Sequence, residues 1–587
     1  MRFLRNLSTL LLTLAFALAL SPAAQASSHP VHAQHAIVVS VHELASRAGS
    51  DIMQAGGNAI DAAVATGFAL AVVHSPAGNL GGGGFMLIRM ADGKTHFLDY
   101  REKAPAAATR NMYLDAQGNV IPGASEYGYK AIAVPGSVAG MVYAEQKYGK
   151  LTLQQVMAPA IKLARDGYAL TWEEARDMQH DAHLGDFPES KRIFQRDGDF
   201  YRPGEIFRQP DLARTLERIA AKPDDFYHGD LAREFAAAMQ KGGGLITAAD
   251  LANYEVKERE PVRGTYRGYE IISAPPPSSG GTVLIESLNI LEGYDLGKMQ
   301  DRSAQSIHYT VEAFRRAFFD RAEFMGDPDY SKIPVAQLID KKYAAAWRES
   351  IDANNASPSN DLKRPAIFSQ LEQYAAAHPG PVALPEHPHT THYSVVDADG
   401  NAVSVTTTIN DWFGSRVTAE GLGFLLNDEM DDFSSKPGAP NSDGLIQGEA
   451  NAIGPGKRPL SSMTPTIVAH DGKIFLVLGS PGSSKIITTV ANVLMGVVDY
   501  DMNIQEAVNA PRFHNQWLPD VLYVEKWFSP DTIAALTKTG YHIEMGLHYG
   551  SYFAPYWSDA ECIEVDSKTG DRLGASDGRN GGKPVGY

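Results

Sequence analysis

The chain has 587 residues, 44% of them hydrophobic, and 52 Lys+Arg against 69 Asp+Glu leave a net charge of −17. That acidity argues against nucleic acid as a partner, while the apolar share is ample for a large core. A single cysteine, Cys562, excludes an internal disulfide.

Arg2 and Arg5, the apolar run Leu10 to Leu20 and the small-residue site Ala24-Gln25-Ala26 read as a secretory signal peptide over residues 1–26. Its apolar core is too short to span a bilayer, and no later stretch approaches the roughly 20 apolar residues a membrane helix needs. The expected address is the periplasm or the medium, with no membrane span.

From about Ile37 to Asp361 the chain reads as helix-rich, with Ala-dense stretches such as Ala55 to Ala71. Gly81 to Gly84 lacks the Lys-Ser/Thr of a phosphate loop and reads as a tight turn. Ile307, Val311, Phe314, Phe318 and Met325 recur at helical spacing after Asp301, which predicts a core-facing helix capped by that aspartate. Asn354 to Pro388, rich in Pro, Ala, Ser and His, reads as an exposed connector.

After the connector the texture changes to strand. Thr390 to Asp397, Asp399-Gly400-Asn401 and Ala402 to Thr408 predict strand, turn and strand. Further hairpins are expected at Thr466 to Leu478 around Asp471-Gly472 and at Glu561 to Gly574 around Thr569-Gly570. Ser484 to Tyr500 carries a broad apolar face and follows the Gly479-Ser480-Pro481-Gly482 turn. A turn feeding a helix N-terminus offers unpaired N–H groups to an anion or a developing oxyanion.

A threonine at the head of a strand, just after an exposed connector, is placed where an N-terminal nucleophile has to be generated. The hydroxyl is a poor nucleophile near neutral pH, whereas an α-amine titrates near 8 and can accept its proton. The histidine groups His29, His32, His35 and His387, His389, His392 fall in a mature N-terminus and a connector, so no metal or other cofactor is expected.

The residues resemble the γ-glutamyltransferase family of N-terminal nucleophile hydrolases over nearly the whole mature chain. Long stretches carry the resemblance: Ala77 to Leu80 with Gly81 to Gly84, Asp99 to Glu102, Pro135-Gly136-Ser137, Pro275 to Gly281, Thr390 to Asp397, Asn427 to Phe433, Lys457 to Met463, Gly479 to Gly482 and Ala510 to Phe513. It implies an α+β fold, a four-layer αββα sandwich. It also implies a precursor cut between His389 and Thr390 into a large subunit, 27–389, and a small one, 390–587, interleaved in one unit.

Carried over residue by residue, the resemblance makes Thr390 both the processing residue and the nucleophile, supported by the hydroxyl of Thr408. Arg101 matches the clamp on the substrate α-carboxylate, with Ser461 and Ser462 hydrogen-bonding it. Asn410, Glu429 and Asp432 match the group around the α-amine. Gly482 and Ser483 match the oxyanion-hole amides, and Ser483 stands where many relatives have glycine. The segment Pro437 to Gly444 matches the pocket lid, with Asp443 where some relatives carry an aromatic residue; that small tip predicts hydrolysis outweighing transfer. The implied substrates are glutathione and other γ-glutamyl compounds, with water, amino acids or dipeptides as acceptors. Two alternatives are a β-lactam side-chain acylase of the same superfamily, which Arg101 with Glu429 and Asp432 argues against, and a processed but idle binding protein, which Thr390 and Thr408 argue against.

Overall fold

In the computed structural model, residues 28–368, 371, 390–439, 441, 445–549, 552–554 and 557–587 are described. The signal segment, His389, and the lid residue Asp443 lie outside them. Among the described residues no helix is long and apolar enough to cross a membrane.

Two seven-stranded antiparallel sheets dominate. The first runs in the order 585–586, 37–40, 391–396, 402–408, 83–89, 95–99, 257–259. The second runs 31–33, 572–575, 562–565, 473–478, 466–470, 269–273, 262–266. All three hairpins expected from sequence are present, at 391–408, 466–478 and 562–575. Both sheets take strands from each side of residue 390, so the N-terminal part is helix-rich yet supplies half the strands' frame.

The period of two along each strand sorts side chains into layers. Ile37, Val39, Phe85, Leu87 and Phe97 from the first sheet meet Ile272, Ile467, Val477 and Ile563 from the second in one cluster between the sheets. Their neighbours point outward: Val38, Met86, Ile88, Tyr393 and Val405 pack under the helices Glu43–Gln54 and Ala59–Val73. On the opposite side, Ile271, Val468, Leu476 and Leu478 pack under Gly280–Leu291, Ala304–Phe324 and Lys485–Val498. Three apolar clusters therefore separate four layers, helix, sheet, sheet and helix, which is the αββα sandwich.

Local chemistry sets the helix ends. Asn58 caps Ala59–Val73 in a reciprocal box with Asp61, and the first amide of that helix, Ala59, donates to Asp397 at 2.9 Å. The helix predicted to be capped by Asp301 runs instead over Ala304–Phe324 with Ser303 as its cap, accepting from Ser306 N–H. Ser303 wins because its hydroxyl lies three residues from an orphan amide, while Asp301 pairs with Arg302. The connector also differs in its first half from the exposed segment expected. Ser359 is buried, Arg364 pairs with the buried Asp320 and Leu371 joins the core, because Asp320 demands a cationic partner.

Candidate active site

Strand register builds the site. Thr391 pairs with Thr407 and His392 with Thr406, so Thr390 falls opposite Thr408 with both side chains on the inter-sheet face. The Thr390 hydroxyl donates to the Thr408 hydroxyl at 3.2 Å. Thr408 Oγ1 also accepts from Asn410 N–H at 2.9 Å, and Asn410, held at φ 70°, donates its side-chain amide to Asp428 O at 3.3 Å. Asn79 braces the end of this strand, donating to Thr408 O at 2.9 Å and accepting from Gly82 N–H and Ser137 Oγ–H.

Gly82 serves that packing: a Cβ there would sit 2.0 Å from Thr408 O. The glycine run is not the tight turn read from sequence: Gly81 bridges Leu426, and Gly83 and Gly84 already pair with Thr408 and Thr407 in the strand Gly83–Arg89, where close backbone approach leaves no room for side chains. Behind Thr390, His392 bonds Thr406 and Ser394 at 2.9 and 3.1 Å, and burial pushes its pKa down to about 3. A neutral imidazole spent on two hydroxyls is a core residue. His42 is likewise buried on the helical side, and desolvation pulls the half-buried His74 down to about 4.

Arg101 is 1% exposed and enters the pocket from the loop after the strand Thr95–Asp99. Its guanidinium pairs with Glu429 and Asp432, lies 3.5 Å from Glu102, and donates to the carbonyls of Pro459 and Leu460 at 3.3 and 3.2 Å. Burial opposes the arginine's charge, but Glu429, Asp432 and Glu102 outweigh it and hold its pKa above the ordinary value. The carboxyls respond in the opposite sense. Burial pushes Glu102 up to about 7 against the pull of Arg101, and pushes Glu429 well above the carboxylate range, with Glu102 and Asp432 adding repulsion. Three carboxyls facing one guanidinium is an excess of acid, and burial answers it by favouring the protonated forms of Glu429 and Glu102.

Ser461 and Ser462 lie on the far wall. The Ser461 hydroxyl oxygen accepts from Met463 N–H at 3.0 Å, and that of Ser462 accepts from Arg321 at 3.0 Å. Arg321 is 2% exposed, on the helix Ala304–Phe324, and also donates to Ser279 Oγ at 2.8 Å. Ser279 in turn holds Ser461 O through its amide and its hydroxyl, each at 2.8 Å.

The Gly479–Gly482 turn enters the helix Lys485–Val498. Gly482 has φ 125°, and a Cβ there would meet Ser558 Oγ at 2.3 Å. Ser483 adopts φ 51°, so the left-handed backbone is kept despite the side chain. Their carbonyls accept from Lys485 and Ile486 N–H, while among the described residues neither of their own amides donates. Both amides belong to the turn just before the helix cap, Ser484.

One pocket is lined by Arg101, Thr390, Thr408, Asn410, Glu429, Asp432, Ser461, Ser462 and Ser483, with Leu445, Met463 and Ile486. It gathers the residues nominated from sequence except Gly482, adjacent to Ser483, and His389, outside the described residues. Sequence reasoning assigned no role to Asn79, Glu102 or Arg321. Asn79 and Glu102 lie inside motifs already singled out; Arg321 had no local signal.

Two face-to-face antiparallel sheets under outer helices, with a threonine hydroxyl at the head of a central strand, define an N-terminal nucleophile hydrolase. The chain belongs to the γ-glutamyltranspeptidase family, whose sequence profile matches residues 45–587. It is 52% identical over 545 residues to a glutathione hydrolase proenzyme of Pseudomonas sp. strain A14, covering 91% of each chain. It is 48% identical over 555 residues to the glutathione hydrolase proenzyme of Escherichia coli K12, covering 94% of this chain and 92% of that one. Among solved structures, a cephalosporin acylase from Bacillus halodurans superposes with a TM-score of 0.81 at 28% identity, covering 97% and 98% of the two chains.

Proposed function

We propose that this chain is a self-cleaving γ-glutamyltransferase with glutathione hydrolase activity, exported and cut into subunits 27–389 and 390–587. The observation that carries the reading is the Thr390 hydroxyl, 3.2 Å from that of Thr408, sharing one pocket with Arg101, Glu429 and Asp432.

Processing begins when Thr390 Oγ attacks the carbonyl carbon of His389. The C–N bond breaks, the nitrogen leaves as the Thr390 α-amine, and an ester remains on Oγ. Water hydrolyses that ester, releasing the His389 carboxylate and the free hydroxyl. In the mature site the α-amine takes the hydroxyl proton as Oγ attacks the γ-carbonyl of glutathione or a related amide. The amides of Gly482 and Ser483 face the oxyanion. Collapse expels the amine, which takes the proton, and leaves a γ-glutamyl ester on Thr390. Water releases glutamate; an amino acid or dipeptide amine gives a new γ-glutamyl product.

A γ-glutamyl head carries a carboxylate and an ammonium. Arg101, Ser461 and Ser462 suit the first, and Glu429, Asp432 and Asn410 the second. Binding would split the Arg101 pairs and trade them for pairs with substrate, so the charges stay matched. The acylase reading rests on the structural likeness to the cephalosporin acylase, but a glutaryl chain lacks the ammonium and would leave Glu429 and Asp432 without a cation. Intact mass and N-terminal sequencing of the purified protein, with turnover of a γ-glutamyl anilide against a glutaryl anilide, test both parts. The expected result is a chain beginning at Thr390 and a strong preference for the γ-glutamyl compound. An uncut chain that still consumes it, or a preference for glutaryl, defeats the proposal. Thr390→Ala is expected to stay in one piece and be inactive.

A further inference from the structure

The hydrogen bonds around the α-carboxylate wall fix which way its hydroxyl protons point. A serine hydroxyl has one proton and two lone pairs, and left alone it can donate or accept. Arginine has no lone pair to offer, so the 3.0 Å contact from Arg321 makes Ser462 Oγ an acceptor on its buried side. Met463 N–H does the same to Ser461 Oγ at 3.0 Å. Among the described residues neither hydroxyl donates to the protein, so both protons are left for the pocket that Ser461 and Ser462 line.

We propose that Arg321 is a positioning and specificity residue: it commits Ser462 to donate into the pocket, and through Ser279 it holds the Ser461 backbone, so the wall accepts a carboxylate and discriminates against its carboxamide. The proposal rests on the reading of Ser461 and Ser462 as the α-carboxylate subsite. A carboxylate only accepts hydrogen bonds, whereas an amide nitrogen donates, and a wall whose protons face inward opposes that donor. Arg321 does not itself line the pocket. It sits behind the wall, 2% exposed, with Nε on Ser279 at 2.8 Å and Nη2 on Ser462. Ser279 carries the same restraint to Ser461 O at 2.8 Å. One guanidinium therefore sets both a hydroxyl's direction and a backbone's place.

The test compares wild type, R321M and R321K on γ-glutamyl anilide and on the analogue whose α-carboxylate is a carboxamide. Methionine fills much of the space but donates nothing; lysine can only donate, from a shorter reach. R321M is expected to raise KM for the carboxylate substrate about tenfold, as loss of a bond to a charged group implies, with kcat changed less than threefold because the contact is made equally in ground and transition states. Its preference for carboxylate over carboxamide should shrink about tenfold. R321K should raise KM only about threefold and keep most of the preference. Wild-type KM and preference in R321M, or R321K as impaired as R321M, overturns the proposal. Should R321M not yield folded, processed protein, the cycle with Ser462→Ala decides. In that background R321K is expected to change KM less than twofold, and an undiminished effect overturns the idea. Wild type that ignores γ-glutamyl anilide altogether would instead bring down the proposed function.

Discussion

Replacing Thr408 by valine removes one oxygen and keeps the shape of a buried side chain, so it isolates what that oxygen does. Thr408 Oγ1 accepts twice, from the Thr390 hydroxyl at 3.2 Å and from Asn410 N–H at 2.9 Å. Without it the Thr390 proton loses the Thr408 acceptor and Asn410, at φ 70°, loses the bond that holds its backbone beside the pocket. A net hydrogen bond is worth about 1 kcal/mol, and one orienting a reacting group contributes to the barrier directly. Taking about 1.4 kcal/mol, self-cleavage of T408V should slow about tenfold. T408S keeps the oxygen and should cut within about twofold of wild type. The assay follows freshly purified precursor on denaturing gels as it separates into the 27–389 and 390–587 chains, with mass spectrometry to fix the junction. T408V cutting as fast as wild type would refute the argument because the hydroxyl would then be idle, and T408S as slow as T408V would refute it because the methyl group would then be what matters.

Three further changes have defined outcomes. Arg101→Met strands Glu102, Glu429 and Asp432 without a cation, which should raise KM at least about a hundredfold and cost about 3–5 kcal/mol in denaturant titrations; a normal KM would remove Arg101 from substrate binding. Ser483→Gly relieves a left-handed backbone worth roughly 1 kcal/mol and should leave kcat within about twofold, whereas a tenfold loss would mean that the side chain and not the amide acts there. Burial pushes the Lys485 amine down to about 7, below its unfolded value near 10.4. Between those values the unfolded chain binds more protons, so this group's contribution to stability grows as pH climbs from 7 towards 10 and is lost as pH falls through 7. Lys485→Met, measured by urea unfolding in the uncut Thr390→Ala chain, should be more stable than its parent at pH 7, with the gap closing as pH rises; a gap independent of pH contradicts the neutral amine.

Hairpins were legible because turn residues and period-two strands act over a few positions. Asp399-Gly400, Asp471-Gly472 and Thr569-Gly570 each fall at the turn between the strands they predict. The layering was not legible that way: nothing local shows that Ile272 meets Phe85 across two sheets, and the αββα order came from resemblance. Helix Ala304–Phe324 shows the limit of periodicity. Its apolar stripe from Ile307 to Phe318 was read correctly, with Met325 falling just past the helix end, but the remaining faces are buried as well: Arg315 pairs with Glu312 and Asp520, Arg316 with Glu312, and Arg321 donates to Ser279 and Ser462. A buried charged residue looks, in the sequence, like a solvent-facing one, since an i,i+4 pair such as Glu312–Arg316 reads as a surface pair and distant partners such as Ser462 leave no local signal. Most pocket residues were named because they sit in or next to the stretches that carry the resemblance, whereas the pairing of Arg101 with Glu429 and Asp432 depends on burial and left no mark in the sequence.

The strand Thr391–Val396 is hydrogen-bonded on one flank to Ile37–Ser40 and on the other to Ala402–Thr408. The cut proposed at its head would therefore change connectivity without changing neighbours, and the fresh terminus would inherit a position fixed beforehand by chains from both sides. The cost falls on reassembly. An unbroken polypeptide regains its shape as a single body, at a rate indifferent to dilution, whereas two denatured halves must first collide and then interleave fourteen strands' worth of shared sheet. Maturation in this architecture is a one-way passage: the molecule that works has lost the covalent instruction by which it was assembled.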